Sequence, residues 1–215
     1  TTAPLTAISG TQFLLSATDA GIIDKSQGTQ TVKLVGNTKS STAQYKFLTS
    51  SMYFDGNGDY IQLDSQNIAN FGSMPFTAEG WFWVASLPGS GTIYSVVDAR
   101  DSGGNATGWT LGIGASGNIY IYNAATTISG GSVSTSTWHH WAFTRSGTDQ
   151  KLFLNGTQVG STYTTSRNFT DNKFRIAGNH SGGELFTGYQ SDVRITKGLA
   201  RYTANFTAPT AALEG

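Results

Sequence analysis

The stretch Phe76–Ala85, FTAEGWFWVA, is the strongest indication of the fold in this chain. Its Trp81 and Trp83 alternate with Phe82 and Val84, so a strand here would carry apolar side chains on both faces. One face must then pack in a core, and the other is either covered by further chain or presented to a ligand. The stretch therefore predicts a long strand of a β structure with an extensive core.

The rest of the chain continues this pattern of short strands. Runs of period two are cut by Gly, Asn and Asp at short intervals, and the 215 residues include 27 Gly. This pattern predicts an all-β fold, with two short helical turns near Ser65–Phe71 and Gly198–Tyr202. The expected strands are Gln12–Ser16, Thr31–Val35, Ser51–Asp55, Tyr60–Leu63, Phe76–Ala85, Thr92–Asp98, Trp109–Gly114, Asn118–Tyr122, Trp138–Arg145, Lys151–Leu154, Lys173–Ala177 and Phe186–Thr196.

Three connections carry recognisable turn chemistry. Asn155-Gly156 between two apolar runs predicts a type I′ hairpin, and Ser116-Gly117-Asn118 predicts a second hairpin. Asp55–Asp59, DGNGD, begins like a calcium-binding EF-hand loop, but Tyr60 and Gln66 stand where that loop requires Gly and Glu. A hairpin turn is therefore the interpretation for this segment too.

Composition bounds the organisation and the partners of the chain. No linker or internal repeat divides it, so we predict one domain over residues 1–215, with a core of about residues 12–210 and ends that are loose or engaged in assembly. The 13 basic and 13 acidic residues are balanced and scattered, which argues against nucleic-acid binding. No apolar run reaches membrane-spanning length, no signal peptide is visible, and the absence of Cys excludes disulfides.

Several segments occur in an order that resembles the laminin-G-like, concanavalin-A-like jelly-roll family. They are Met52–Ile61, Phe76–Val84, Trp138–Arg145, Leu152–Gly156 and Phe186–Ile195. The resemblance covers about residues 12–210, and it is greatest to variants in structural proteins of tailed phages, especially cyanophages. It implies a two-sheet antiparallel β-sandwich with concanavalin-A-like jelly-roll topology. Because this fold hosts lectins, adhesion modules, hydrolases and structural domains, it does not fix the function.

The sequence offers no recognisable catalytic or zinc site. Glycoside hydrolases need two neighbouring carboxylates, but the only Glu residues, Glu79, Glu184 and Glu214, are far apart in sequence. No Gly-x-Ser-x-Gly motif is present, although composition leaves a Ser/His/Asp triad open. His139 and His140 would point to opposite faces of one strand, which argues against a shared metal.

Aromatic residues beside loops are the candidate ligand contacts. Trp109, Tyr120 and Tyr122 would lie on the concave sheet, where aromatic faces can stack on sugar rings; packing in the core is the alternative. Asp98, Asp101 and Asn105 could add hydrogen bonds to a glycan or bind calcium, or could be an ordinary solvated loop.

Asp192 is a candidate metal ligand by resemblance alone. In related sandwiches an Asp in the last strand helps to hold a structural calcium near the N-terminal strand, and Asp192 could do so together with backbone carbonyls. The alternative is a carboxylate that is satisfied by backbone N–H groups or by an arginine such as Arg194.

These observations favour a non-catalytic binding and assembly module outside a cell or on a virion surface. Its expected partner is a cell-surface glycan or polysaccharide, together with copies of itself or other virion or surface proteins. A purely structural subunit (a decoration, fibre or filament protein) is the alternative from a different class. A divergent glycoside hydrolase is the third hypothesis.

Overall fold

The computed structural model describes residues 9–18, 21–26, 30–63, 67–103 and 106–214, and this part of the chain contains sixteen strands and no helix. The strands are β1 (Thr11–Thr18), β2 (Gly21–Asp24), β3 (Val32–Val35), β4 (Lys39–Ser41), β5 (Ser51–Asp55), β6 (Tyr60–Leu63), β7 (Phe76–Val84), β8 (Ile93–Ala99), β9 (Trp109–Gly114), β10 (Ile119–Tyr122), β11 (Thr126–Gly130), β12 (Trp138–Ser146), β13 (Asp149–Leu154), β14 (Thr157–Thr164), β15 (Phe174–Ile176) and β16 (Thr187–Lys197). No helix in these residues is long and apolar enough to cross a membrane.

The strands form two antiparallel sheets. Sheet 1 has nine strands in the order β14-β13-β12-β7-β16-β1-β2, with β5 paired to β16 and β4 paired to β5. Sheet 2 has seven strands in the order β11-β10-β9-β8-β15-β6-β3. The predicted all-β, two-sheet antiparallel sandwich is confirmed, and the long strand from Phe76 lies in the middle of sheet 1.

The core lies between the two sheets and is rich in aromatic rings. Phe76 of β7 stacks on Phe71 with the ring centroids 4.1 Å apart, and it also lies parallel to the Trp109 ring at 6.2 Å. Phe143 of β12 packs edge-on against both Phe76 and Trp109. All four side chains are fully buried. Burying each of them contributes about 2 kcal/mol or more to stability, which makes this cluster a major support of the sandwich.

The outward side chains of β7 have two different environments. Trp81 is covered, because Phe47 packs against it at 5.5 Å and the Lys46 ammonium lies 4.2 Å from its ring. Trp83 is only half-buried and contacts Tyr189 of the neighbouring strand β16. The second apolar face of this strand is therefore covered in one place and open in another.

The C-terminal segment, residues 198–214, covers another part of the outer face of sheet 1. Its Tyr202 and Phe206 rings stack at 3.6 Å, and Phe206 packs against Phe153 of β13. The Phe206 backbone N–H also donates to the Gly156 carbonyl at 2.9 Å. The segment thus buries outward-facing groups of sheet 1 that would otherwise contact water.

The carboxylate of Glu79, on β7, is a buried charge that lies beneath the C-terminal segment. Its carboxylate accepts two hydrogen bonds from Arg194 at 3.1 and 2.6 Å and one from the Tyr202 hydroxyl at 2.8 Å. Burial alone would raise the pKa of Glu79, but the hydrogen bonds and charges of His140 and Arg194 outweigh burial and lower the pKa to about 2.

The turn predictions have mixed outcomes. Asn155 and Gly156 both have positive φ, 52° and 82°, between β13 and β14, which confirms the type I′ hairpin. Residues 115–118 join the paired strands β9 and β10, as predicted. The hairpin prediction for Asp55–Asp59 is wrong, because this turn carries the chain from β5 in sheet 1 to β6 in sheet 2. Instead, the Asp59 carboxylate accepts the Asp55 backbone N–H at 2.9 Å and holds the turn internally.

Neither predicted helical turn is present in the described residues. Residues 67–71 and 198–202 form turns and bends, while Ser65 and Gln66 lie outside the described residues. Hydrogen bonds to neighbouring strands, such as Thr77 Oγ1 to the Leu199 carbonyl at 3.0 Å, take the place of helical ones.

Candidate functional site

A cleft of about 340 Å³ opens on the outer face of sheet 2. Alternation along the strands explains which side chains reach it: Trp109, Leu111 and Ile113 of β9 point into the core, so Thr110 and Gly112 point outward. The lining residues come from β8, β9, β10 and the chain segments that follow β8 and β15. They are Ile93, Arg100, Gly103, Thr110, Tyr120, Tyr122, His180 and Glu184.

Tyr120 lies across the sheet directly opposite Gly112. The two residues are register partners in the β9–β10 pair, and a Cβ atom at Gly112 would overlap the tip of the Tyr120 ring. Glycine at this position therefore lets the ring lie against the sheet and leaves the space above it open.

The Tyr120 hydroxyl lacks a hydrogen-bond partner among the described residues. The residue is only 8% exposed, and its hydroxyl is buried without a hydrogen bond from the part of the chain that the structure describes. Burial and the nearby charge of Glu184 raise the pKa of Tyr120, so the phenol keeps its proton. An unsatisfied buried hydroxyl costs about 1–3 kcal/mol, which a ligand hydroxyl or water at this position would offset.

Arg100 and Tyr122 form a second wall of the cleft. The Arg100 guanidinium lies 5.3 Å from the centre of the half-buried Tyr122 ring. Beneath it, Arg100 donates two hydrogen bonds to the buried Asp98 carboxylate, at 2.9 and 2.6 Å. Burial opposes the charge of Arg100, but its bonds to Asp98 raise the pKa, so the guanidinium is charged and held in place.

The segment between β15 and β16 supplies the third wall. Glu184 has a positive φ of 51°, and its backbone carbonyl and one carboxylate oxygen each accept a hydrogen bond from Ser95 at 2.8 Å. The His180 backbone N–H donates to Asp98 at 2.9 Å, which fixes this segment against sheet 2. The buried Nδ1 atom of His180 makes no hydrogen bond within the described residues and lies 3.7 Å from the Asp98 carboxylate.

The residues that the sequence proposed as ligand contacts lie in different environments in the structure. Tyr120 and Tyr122 line the cleft, and Asp98 lies directly below it as the partner of Arg100. Their contact with a ligand stays a prediction. The prediction that Trp109 contacts a ligand is wrong, because its side chain is 0% exposed in the core and cannot present its ring to a sugar.

The two residues of the proposed acidic loop that the structure describes, Asp98 and Asp101, have different partners. The Asp101 carboxylate accepts the backbone N–H groups of Asn172 and Lys173, at 3.2 and 2.9 Å, so it joins two loops away from the cleft lining. Asn105 lies outside the described residues. Asp98 and Asp101 therefore have different local roles, one beneath the cleft and one in a loop contact.

Asp192 occupies a bulge of β16 with a positive φ of 52° and is fully buried. It accepts a hydrogen bond from Ser16 Oγ at 3.0 Å, while Arg194 forms its ion pair with Glu79. Burial raises the pKa of Asp192, against the opposing effect of hydrogen bonds from Ser16 and the Leu213 backbone.

A calcium ion at Asp192 would need several further oxygen ligands. The ion usually takes six to eight oxygen ligands, and the described residues contain no group of three His, Cys, Asp or Glu that could hold a metal. One carboxylate oxygen of Asp192, Oδ2, is buried without a hydrogen-bond partner among the described residues, so the calcium site, with backbone carbonyls as the other ligands, stays a prediction.

Ser134, His139 and Asn155 form a chain of contacts that resembles a catalytic triad. His139 Nε2 lies 3.3 Å from Ser134 Oγ and 3.1 Å from the Ser134 carbonyl oxygen, and His139 Nδ1 lies 3.1 Å from Asn155 Nδ2. Because a carbonyl oxygen only accepts hydrogen bonds and an amide nitrogen only donates them, the ring proton is on Nε2 and Nδ1 accepts. With this tautomer, His139 cannot take a proton from Ser134 through Nε2.

The chain belongs to the concanavalin A-like lectin/glucanases superfamily. The family model, of laminin G type, matches residues 55–200, which is more than half of the chain. The fold and the part of the resemblance that named this family are thereby confirmed. No curated protein matches this sequence.

Solved structures with this fold include binding domains of bacterial proteins. The binding domain of Paraclostridial Mosquitocidal Protein 1 has a TM-score of 0.65 and 16% identity, over 87% of this chain and 49% of that chain. The binding domain of botulinum neurotoxin DC, in complex with SialylT, has a TM-score of 0.63 and 15% identity, over 88% and 48%. The present chain thus spans about half the length of these toxin domains.

A third similar structure matches along almost its whole length. Domain 4 of AbnA, a GH43 extracellular arabinanase from Geobacillus stearothermophilus, in complex with arabinotriose, has a TM-score of 0.66 and 13% identity, over 88% of this chain and 93% of that chain. At these identities the likeness establishes the fold alone.

Six of the eight lining residues were not predicted from the sequence, and three of these, Arg100, His180 and Glu184, carry ionisable side chains. Arg100 could have been predicted, since it lies two residues after Asp98, where a predicted strand ends. His180 and Glu184 lie more than 55 residues after Tyr122, and only the β8–β15 pairing brings their segment to the cleft. A polar loop after a strand was their only sequence signal.

Proposed function

We propose that this chain is a non-catalytic carbohydrate-binding module whose ligand occupies the cleft on sheet 2. The observation that carries the proposal is the combination of aromatic side chains with polar groups that lack partners in a preformed cleft. Aromatic rings combined with converging polar groups are typical of sites that bind small ligands.

The cleft residues match the chemistry of a sugar. A sugar ring presents apolar C–H groups, which suit the half-buried ring of Tyr122, and hydroxyls, which both donate and accept hydrogen bonds. The Tyr120 hydroxyl and Arg100 offer donors, and the Glu184 oxygen that is not bonded to Ser95 offers an acceptor. These groups are held by strand pairing and by Asp98, so little ordering would be needed on binding.

The absence of catalysis is part of the proposal, and the cleft chemistry supports it. A glycoside hydrolase needs one carboxylate as acid and another as base or nucleophile. Glu184 is the one carboxylate among the described lining residues, and the nearby Asp98 is engaged by Arg100. The tautomer of His139 gives no support to a serine hydrolase either.

Similar structures support a glycan ligand and a location outside a cell. Of the solved structures with this fold, one is in complex with SialylT and another, from an extracellular enzyme, is in complex with arabinotriose. For this chain we propose a cell-surface glycan or polysaccharide as the partner. Display on a virion rests only on the resemblance of the sequence to phage structural proteins.

A glycan array tests this function directly. We expect the protein to bind a defined subset of the array, and Tyr122→Ala to lower that binding at least about tenfold through loss of ring contact. Tyr45→Ala is the matched control, since Tyr45 is 52% exposed and lies outside the cleft. Equal binding by wild type and Tyr122→Ala would contradict the proposed site, and a parallel array with chelator tests whether calcium takes part.

A structural subunit that assembles with copies of itself is the second candidate. It is favoured by β2 and β3, the edge strands of the two sheets in the described chain, where Ile23 and Leu34 are 45% and 44% exposed. Exposed apolar edge strands are prone to pair with another chain. Light scattering that shows oligomers, dispersed by Ile23→Lys or Leu34→Lys, would support this candidate, and a monomer at high concentration would exclude it.

A further inference from the structure

We propose that the cleft on sheet 2 selects uncharged glycans and rejects acidic ones, with Glu184 as the residue that discriminates between them. This inference rests on the proposed function and adds the chemical class of the ligand. It depends on how the charges around the cleft are already paired.

The positive charge of Arg100 is already neutralised. Asp98 takes two hydrogen bonds from it, at 2.9 and 2.6 Å, and both residues are at least 95% buried. A bidentate ion pair of this kind is strong and geometrically fixed. An acidic sugar that approached Arg100 would therefore compete with a buried carboxylate that is already in place.

The negative charge of Glu184 is not paired in this way. Its carboxylate accepts a hydrogen bond from the neutral hydroxyl of Ser95, and it forms no ion pair with the residues that the structure describes. The charge of Glu184 is one cause of the raised pKa of Arg100, but the side-chain hydrogen bonds of Arg100 go to Asp98. The wall of the cleft therefore carries a carboxylate that has no ion-pair partner among the described residues.

The neighbouring Tyr120 strengthens the preference for hydroxyl groups. Its buried hydroxyl has no hydrogen bond within the described chain, and Glu184 is one cause of its raised pKa. A sugar hydroxyl can accept a hydrogen bond from the phenol and donate one to the carboxylate. A sugar carboxylate cannot donate to Glu184 and is repelled by it, and this repulsion is strong in a partly desolvated cleft.

Paired glycans on one array test the inference. Each neutral glycan is compared with the same glycan carrying a sialic or uronic acid, for example lactose with 3′-sialyllactose, at neutral pH. We expect wild type to bind the neutral member at least about tenfold more strongly. Glu184→Gln keeps the shape and an oxygen for Ser95, and it should reduce that ratio several-fold by improving binding of the acidic member.

Asp149→Asn is the matched control, because it removes one negative charge from an exposed position in the β13 hairpin of sheet 1. It should leave the ratio unchanged. A wild-type preference for the acidic members, or an unchanged ratio in Glu184→Gln, would overturn the selectivity while leaving glycan binding in place. Binding to no glycan of the array would instead overturn the proposed function, and this inference with it.

Discussion

Gly112 and Tyr120 show how a single residue shapes the cleft. The glycine leaves room for the Tyr120 ring to lie on the sheet, and any side chain at position 112 would meet the tip of that ring. Because the tip of a tyrosine can move at low cost, an added methyl group should push the ring outward rather than unfold the strand.

Gly112→Ala should therefore lower glycan affinity about tenfold, while the free energy of unfolding changes by less than about 1 kcal/mol. Isothermal titration and urea unfolding measure the two quantities. Gly89→Ala is the control, since a Cβ there meets only Thr92 Oγ1 at 3.6 Å. Full affinity in Gly112→Ala would show that the ligand does not use the space above Tyr120.

Trp109 shows what residue-level prediction can and cannot do. It stands two and four positions before Leu111 and Ile113, so alternation alone assigns it to the same face as these core residues. The prediction of a ligand contact for Trp109 rested on its aromatic character rather than on this alternation, and that prediction is wrong. Tyr120 and Tyr122 alternate with Ile119 and Ile121 and were correctly placed on one shared face, away from the core.

At the scale of elements, local turns were predictable and the pairing of distant strands was not. Asn155 and Gly156 adopt positive φ in the sequence-predicted hairpin, since a two-residue loop determines its own geometry. Asp55–Asp59 looks equally like a hairpin, yet β5 pairs with β16, more than 130 residues away. Strands β2, β4 and β11 were missed, and β14 was foreseen only through its hairpin. All four lie at sheet edges, where packing against the neighbouring strand decides that they are strands.

The hairpin also anchors the C-terminal segment. Gly156 has φ of +82°, and a Cβ there would overlap the carbonyl oxygen of Phe206. Gly156→Ala should cost about 2 kcal/mol or more, from backbone strain together with displacement of the segment. It should also speed proteolysis after Arg201.

Gly147→Ala separates the two effects, because Gly147 has a similar φ of +60° with nothing within 4 Å of a Cβ. It should cost only the backbone strain, about 1 kcal/mol, and leave proteolysis unchanged. Equal unfolding midpoints in urea for the two variants would argue against the anchoring role of Gly156.

At the scale of the whole molecule, Glu79 ties sheet 1 to the C-terminal segment through Arg194 and Tyr202. Its pKa is lowered to about 2 in the folded protein from an ordinary value of 4.5. The stability from its ionised form is therefore complete above about pH 4.5 and is lost as pH falls towards 2. The shift corresponds to about 3 kcal/mol.

Glu79→Gln should be less stable than wild type at neutral pH by about 3–5 kcal/mol, since Arg194 is left buried without its carboxylate. The difference between the two proteins should shrink between pH 4.5 and 2, and urea unfolding across this range measures it. The raised pKa of Asp192 changes stability with pH in the opposite direction. It does so equally in wild type and Glu79→Gln, so its effect cancels in the stability difference between the two proteins. A difference that is constant with pH would contradict the role of Glu79.

The cleft is built from segments that lie far apart in the sequence, so the sequence alone predicts only part of its lining. Tyr120 and Tyr122 were found because they lie on one strand beside a turn. His180 and Glu184 reach the cleft through the β15–β8 pairing and the Ser95 contacts, which join segments about 80 residues apart. No local pattern encodes such a contact, so the sequence predicted the sheet and its aromatic residues but not the polar wall.

The central claim is that a glycan binds in the cleft on sheet 2, and NMR amide-shift mapping tests it most directly. Isotope-labelled protein is titrated with the oligosaccharide that binds best on the array. We expect saturable shifts confined to β9, β10, Arg100 and residues 180–184, with outward positions such as Gly112 among the largest. Saturable shifts centred on the outer face of sheet 1 or on the edge strands, with the cleft unchanged, would contradict it.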